Sequence, residues 1–175
     1  NFRRKQCPEY PASSSLSRRF CEIHCVRLHA RMPLPFEYQN ASLEFDRFMA
    51  DARDYAGLTT TNMAWNMVVG VLHTFRKRLT LHQVLRFAAI LPPVIRAIFV
   101  EDWDPDEPVL EFASDAKLLE EVRAVRREHN FSPPNAISAV SAALRRHVDQ
   151  EAFEEVLSQL PAGAKHYWQV TESAA

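Results

Sequence analysis

A chain of 175 residues is long enough to bury one core of ordinary size, and 47% apolar with 25% charged residues is the mix of a folded globular protein rather than a disordered one. Only three residues are glycine, Gly57, Gly70 and Gly163, and they stand far apart. Phosphate-cradling loops need clustered glycines so that backbone N–H groups can approach the anion, which excludes nucleotide-binding folds of that kind. The longest apolar stretch, around Met63 to Leu72, is interrupted by Asn66 and is too short to span a bilayer.

The net charge of −1 conceals an uneven distribution. Residues 1–31 hold seven basic and two acidic side chains, whereas residues 32–175 hold fourteen basic and twenty acidic ones. All three cysteines, Cys7, Cys21 and Cys25, lie in the first segment, so the remainder has neither a disulfide nor a thiol nucleophile. That segment lacks sustained apolar periodicity, the composition changes at Met32, and the chain starts with Asn1. The expectation is that translation begins at Met32, that residues 1–37 form an extension outside the fold, and that residues 1–31 are dispensable for stability. A processed basic targeting peptide would read similarly. Cys21, His24, Cys25 and His29 would share roughly one face of a helix, and thiolate with imidazole suits zinc, although the separated ligand pairs of zinc modules are missing.

From residue 38 onward the pattern is helical. A first helix is predicted from Ser42 as N-cap, with Phe45, Phe48, Met49, Ala52 and Tyr55 inward, ending at Gly57. The second carries Met67, Val68, Val71, Leu72 and Phe75 and closes on Arg76-Lys77-Arg78. Thr80 with Gln83 makes a capping box that starts the third, and Leu91-Pro92 breaks it and opens a short fourth ending near Phe99. An acidic, proline-bearing linker follows, Glu101 to Pro108, with the boundaries of the linker region set at 104–113.

The same order then returns. A helix from about Asp115 points Leu118, Leu119, Val122 and Val125 inward and reaches Asn130; the next starts at Ser132-Pro133, carries Ile137, Val140 and Leu144, and closes on Arg145-Arg146-His147. Asp149 caps the third, and Leu160-Pro161 opens a fourth ending near Trp168. Adding 69 takes Val68 to Ile137, Val71 to Val140, Phe75 to Leu144, Arg76 to Arg145, Thr80 to Asp149, Leu91-Pro92 to Leu160-Pro161 and Phe99 to Trp168. Upstream an offset of 73 takes Gly57 to Asn130, two residues that readily adopt the left-handed conformation closing a helix. No segment shows two-residue alternation. The predicted fold is therefore all-α, a helical bundle of two pseudo-symmetric repeats of about four helices each, at 38–103 and 114–170, with 171–175 as a tail and the repeats superposing helix for helix.

Phe45-Asp46-Arg47-Phe48 leading to Ala56-Gly57-Leu58, Leu91-Pro92-Pro93 with Arg96-Ala97-Ile98-Phe99, Asn130-Phe131-Ser132-Pro133-Pro134, and Leu160-Pro161 with Trp168 together resemble a family of small bacterial proteins. That family is known only as a domain of unknown function built as a tandem helical repeat. The resemblance covers about residues 36 to 170. It implies the fold and a bacterial cytoplasmic setting, and brings no activity or catalytic residues.

The basic clusters Arg76-Lys77-Arg78 and Arg145-Arg146-His147 close matching helices. They read either as paired anion sites or as cations complementing helix C-termini, and the acidic balance of residues 32–175 favours the second. Asp102, Asp104 and Asp106 begin like a calcium loop, but Glu107 replaces the turn glycine and Ala113 the closing glutamate. His73, His82, His129, His147 and His166 form no metal-binding spacing, and Trp65, Trp103, Tyr167 and Trp168 suit core or interface anchoring. The function expected is a non-enzymatic protein-binding or structural module without cofactor or membrane segment, whose partner is another protein or itself rather than nucleic acid. The alternatives are an enzyme with a spatially assembled carboxylate/histidine site and an anion or nucleic-acid binder; a deep pocket with convergent polar groups would favour the enzyme.

Overall fold

The computed structural model describes residues 35–170. Within them the chain forms nine helices and no strand: α1 (Phe36–Gln39), α2 (Ala41–Tyr55), α3 (Thr61–Arg76), α4 (Leu81–Ala89), α5 (Pro93–Val100), α6 (Asp115–Ala124), α7 (Ala136–His147), α8 (Gln150–Ser158) and α9 (Ala162–Tyr167). The all-α class expected from periodicity is the one observed. The helical part begins at Phe36, two residues before the expected boundary. Cys21, His24, Cys25 and His29 lie outside the described residues.

Burial follows the helical period. Phe48, Met49 and Ala52 of α2 and Leu118 and Val122 of α6 turn inward, while α3 buries residues on most of its circumference because other helices cover it on several sides. The heaviest packing pairs α2 with α7 and α3 with α6, so each joins an early helix to a late one. At the centre Trp168 meets Phe75 at 5.1 Å and Phe87 at 5.6 Å between ring centroids, with Phe153 at 6.0 Å. One core serves the whole of residues 36–170.

Several local expectations hold at atomic detail. Thr80 and Gln83 exchange both bonds of the capping box, and Asp149 accepts from Ala152 N at 2.8 Å. Pro92 and Pro161 start α5 and α9 with almost the same backbone, φ −54°, ψ 151° and φ −53°, ψ 150°. Gly57 takes φ 66°, and Leu58 N to Arg53 O with Gly57 N to Asp54 O closes α2 in the double-bonded manner that a left-handed residue allows.

Others are corrected. Ser42 is the second residue of α2 and does not cap it: Asn40 N bonds Phe36 O and Glu44 N bonds Asn40 O, so helical hydrogen bonds run through the junction with α1. Tyr55 is exposed, although it stands seven residues on from Phe48 along the same stripe; it is the last residue of α2. Asn130 is not left-handed and does not end a helix; α6 stops at Ala124, and Arg126 takes the positive φ of 50°. Asn130 is buried instead, its Nδ2 donating to Val122 O at 2.7 Å and Val125 O at 2.9 Å, so a side chain satisfies the carbonyls left open at the end of α6. Gly57 and Arg126 are themselves 69 positions apart, so the offset of 73 is not needed to match these helix ends. Ser132-Pro133 does not begin α7; Ser132 is buried on the Asn130 carbonyl, and Asn135 holds the N-cap position.

The linker is exposed over residues 104–111, but its far end is tied to the body. Leu110 N bonds Lys77 O at 2.8 Å, and the Phe112 ring lies 6.1 Å from Phe75 and 6.3 Å from Tyr167. Asp104 Oδ1 accepts from Asp106 N at 2.9 Å, a turn held by its own carboxylate.

Candidate functional site: an acid-rimmed apolar cleft

The break between α4 and α5 creates one wall of a cleft of about 310 Å3. Leu91-Pro92 ends α4, and the Arg96 guanidinium folds back over the break, donating to Leu91 O at 2.8 and 3.2 Å. Ala89, Ile90, Pro92 and Pro93 are thereby presented together, with Phe36 of α1 facing them. The opposite wall carries Glu37, Glu44, His147 and Asp149.

His147, the last residue of α7, is held by α2. Its Nε2 lies 2.8 Å from Asp51 Oδ2, its Nδ1 is 4.0 Å from Glu44 Oε2, and the ring stands edge-on to Phe48 at 5.9 Å. Arg146 donates to Asp51 Oδ1 and to the Tyr55 hydroxyl, both at 3.3 Å, and these two partners raise its guanidinium pKa. Both imidazole nitrogens thus face carboxylates, and the cleft lining contains no Ser, Thr, Cys or Lys. The polar part of the lining is therefore carboxylate, imidazole and guanidinium, from Glu37, Glu44, Asp149, His147 and Arg96. Among the described residues no group of three or more His, Cys, Asp or Glu side chains converges as metal coordination requires.

Apolar surface continues beyond the cleft. Leu81, Leu85 and Ala89 follow one another at four-residue spacing along α4, and all three are exposed.

The six basic candidates go to different places. Arg76 and Arg78 are buried: Arg76 Nη1 donates to Phe99 O at 2.6 Å and Glu101 O at 2.8 Å, with Trp103 beneath its guanidinium, and Arg78 grips both Glu121 oxygens at 2.8 Å. Lys77 between them points to solvent. Arg145 donates to Trp168 O and to Glu154, with its guanidinium 4.9 Å over Phe153, and borders a separate open surface cleft with Lys165 and His166. Arg146 and His147 engage Asp51. Of the six, only His147 lines the acid-rimmed cleft. Arg96 was named in the sequence only as part of the motif Arg96-Ala97-Ile98-Phe99, and Glu44 and Asp51 were not singled out; these two lie seven apart beside the apolar stripe of α2, but the helix they face cannot be read from that spacing.

The fold and this surface define a class: a compact helical body with one shared core and open apolar clefts. Residues 45–167 match the family described as "Uncharacterized conserved protein (DUF2267)", and the chain belongs to that family. No curated protein matches it. The match begins at the Phe45-Asp46-Arg47-Phe48 motif and takes in Asp51, Arg96 and His147, while Phe36, Glu37 and Glu44 precede it. No helix among the described residues is long and apolar enough to cross a membrane.

Proposed function

We propose that the chain is a non-enzymatic binding module whose acid-rimmed cleft accepts a basic, amphipathic helix from another protein. The observation that carries this reading is the apolar surface left in water beside the cleft: Phe36 is 79% exposed, Leu85 57% and Leu81 51%. Large apolar side chains grouped in this way mark interaction surfaces more than singly scattered ones do. A row at four-residue spacing, ending in a groove, suits a helix that presents its own anchors at one face. Glu37, Glu44 and Asp149 at the rim favour basic residues on that helix, and the acidic balance of residues 32–175 opposes nucleic acid.

Part of the same proposal is that the chain is a duplicated helical unit in a bacterial cytoplasm, as the resemblance implies. The duplication is supported by Arg76 bonding Phe99 O and Arg145 bonding Trp168 O, two interactions whose partners are each 69 positions apart. The near-identical dihedrals at Pro92 and Pro161 support it as well.

The binding reading is tested by fluorescence anisotropy with a labelled Leu/Lys amphipathic helical peptide and a scrambled control of equal charge. The scrambled peptide should bind about tenfold more weakly, and Phe36→Ser with Leu85→Glu should weaken the helical peptide by about tenfold or more, since a few anchors dominate such contacts. Equal binding of both peptides, or unchanged binding by the double variant, would overturn the reading.

A further inference from the structure

A second recess, of about 360 Å3, opens between the middle of α2 and the start of α3. Phe45 and Met49, four residues apart on α2, supply its apolar side, and Trp65 of α3 supplies the facing wall. The Trp65 and Phe45 rings stand at 86° with centroids 6.0 Å apart, so two aromatic walls meet almost at a right angle. Trp65 remains 36% exposed and Phe45 is half-buried. Thr60 fixes this arrangement by accepting from Met63 N at 3.3 Å, which sets where Thr61, Asn62 and Trp65 emerge from the first turns of α3.

Asp46 lines the same recess, is exposed, and has no hydrogen-bond or ion-pair partner among the described residues. The neighbouring cation, Arg47, is held instead by Glu44 at 2.7 Å. Aromatic faces carry the negative end of the ring quadrupole and attract cations, and an unpaired carboxylate adds to that field. Thr61 and Asn62 supply the other polar groups of the lining, and a primary ammonium seated against Phe45, Met49 and Trp65 would still give up water on that side without a partner. A quaternary ammonium has no N–H to satisfy, and its methyl groups suit contact with Met49, Phe45 and Trp65.

We propose that this recess binds a quaternary ammonium group of the choline type, with Trp65 and Phe45 as cation-binding walls and Asp46 as counter-charge. The proposal is independent of the acid-rimmed cleft. Such a group occurs on small solutes and on phospholipid headgroups, and the experiment separates the two. Isothermal titration of the full chain with tetramethylammonium chloride and with choline chloride should give saturable binding, and ammonium chloride at matched ionic strength should bind about tenfold more weakly or not at all. Trp65→Leu, which keeps an apolar side chain at a partly exposed position, should weaken tetramethylammonium by about tenfold, and Asp46→Asn by about threefold, with far-ultraviolet circular dichroism unchanged. Sedimentation with phosphatidylcholine vesicles then assigns the source: Trp65-dependent co-sedimentation supports a headgroup, and none, with the free cations still bound, supports a soluble ligand. Absence of tetramethylammonium binding, a response equal to that of ammonium, or full affinity in Trp65→Leu would overturn the proposal.

Discussion

At the scale of single residues the two arginines flanking Lys77 matter most, because burial turns them from surface charges into structural parts. Arg78 is 1% exposed, donates to Thr74 O and both Glu121 oxygens, and lies 5.9 Å from the Phe112 ring centre. Removing one partner of such a pair leaves a charge without its counter-ion, whereas an apolar side chain of similar size avoids the desolvation. Arg78→Ala should therefore cost about 3 kcal/mol in urea unfolding, and Arg78→Met should recover at least about 1 kcal/mol of that loss. Equal losses would mean that the hydrogen bonds, rather than the packing, carry the effect. His73 gives a pH signature. Burial pushes its pKa below the ordinary 6.5, outweighing the Ile98 carbonyl that its Nε2 bonds at 2.9 Å, and Arg76 and Lys77 push the same way while Glu101 opposes. The unfolded chain then binds a proton that the folded one refuses. His73's contribution is fully present above about pH 6.5 and is lost as pH falls from there through the lowered folded value. Melting temperature should fall between pH 7.5 and 5 less steeply in His73→Gln than in the unaltered chain, the difference between the two slopes being the quantity to measure.

At the scale of elements, legibility divides by the kind of interaction. Thr80, Asp149, Pro92 and Gly57 were readable because each acts on its own backbone within a few residues, where residue type and spacing determine the outcome. Asn130 was misread because its role depends on what lies across the fold: Asn66 donates to His129 O at 2.9 Å, and Asn130 turns inward beneath α3, taking Ser132 with it as the donor to its Oδ1. The cleft failed for the same reason. His147 was visible as one of several histidines, but Asp51 is almost a hundred positions away, and only the packing of α2 on α7 joins them. Gly70 is a further case of a contact hidden in sequence. A Cβ added there would stand 2.6 Å from Val122 O and 3.1 Å from Val122 Cγ1, so α3 and α6 approach as closely as a missing side chain allows. The backbone oxygen cannot swing aside. Gly70→Ala should thus destabilise by about 1–3 kcal/mol through overpacking, despite alanine's better helix propensity. A gain in melting temperature would show that α6 shifts without cost.

At the scale of the whole molecule, the two stretches α1–α5 and α6–α9 look like repeats in sequence but do not keep their cores apart. α2 packs on α7 and α3 on α6 more heavily than α2 packs on α3. Trp168, at the end of the second stretch, stacks on Phe87 of the first at an interplanar angle of 24°, and the Tyr167 hydroxyl donates to Val71 O at 2.8 Å. Phe87 also meets Phe153 across the boundary at 5.9 Å. Cutting the chain after Asp106, in the exposed part of the linker, should consequently leave two fragments that each expose half of one core. With the entropy of ordering the chain no longer offset by that burial, neither fragment should melt cooperatively alone. Mixed in equal amounts they should regain helix content and the near-ultraviolet signal of the buried Trp168, because the missing apolar partners are supplied in trans. The cut also tests the buried pair, since Arg78 and Glu121 would sit on different fragments, and Arg78→Ala should weaken the reassociation. A cooperative melt of either fragment by itself would instead make the stretches independent domains, each with a core of its own.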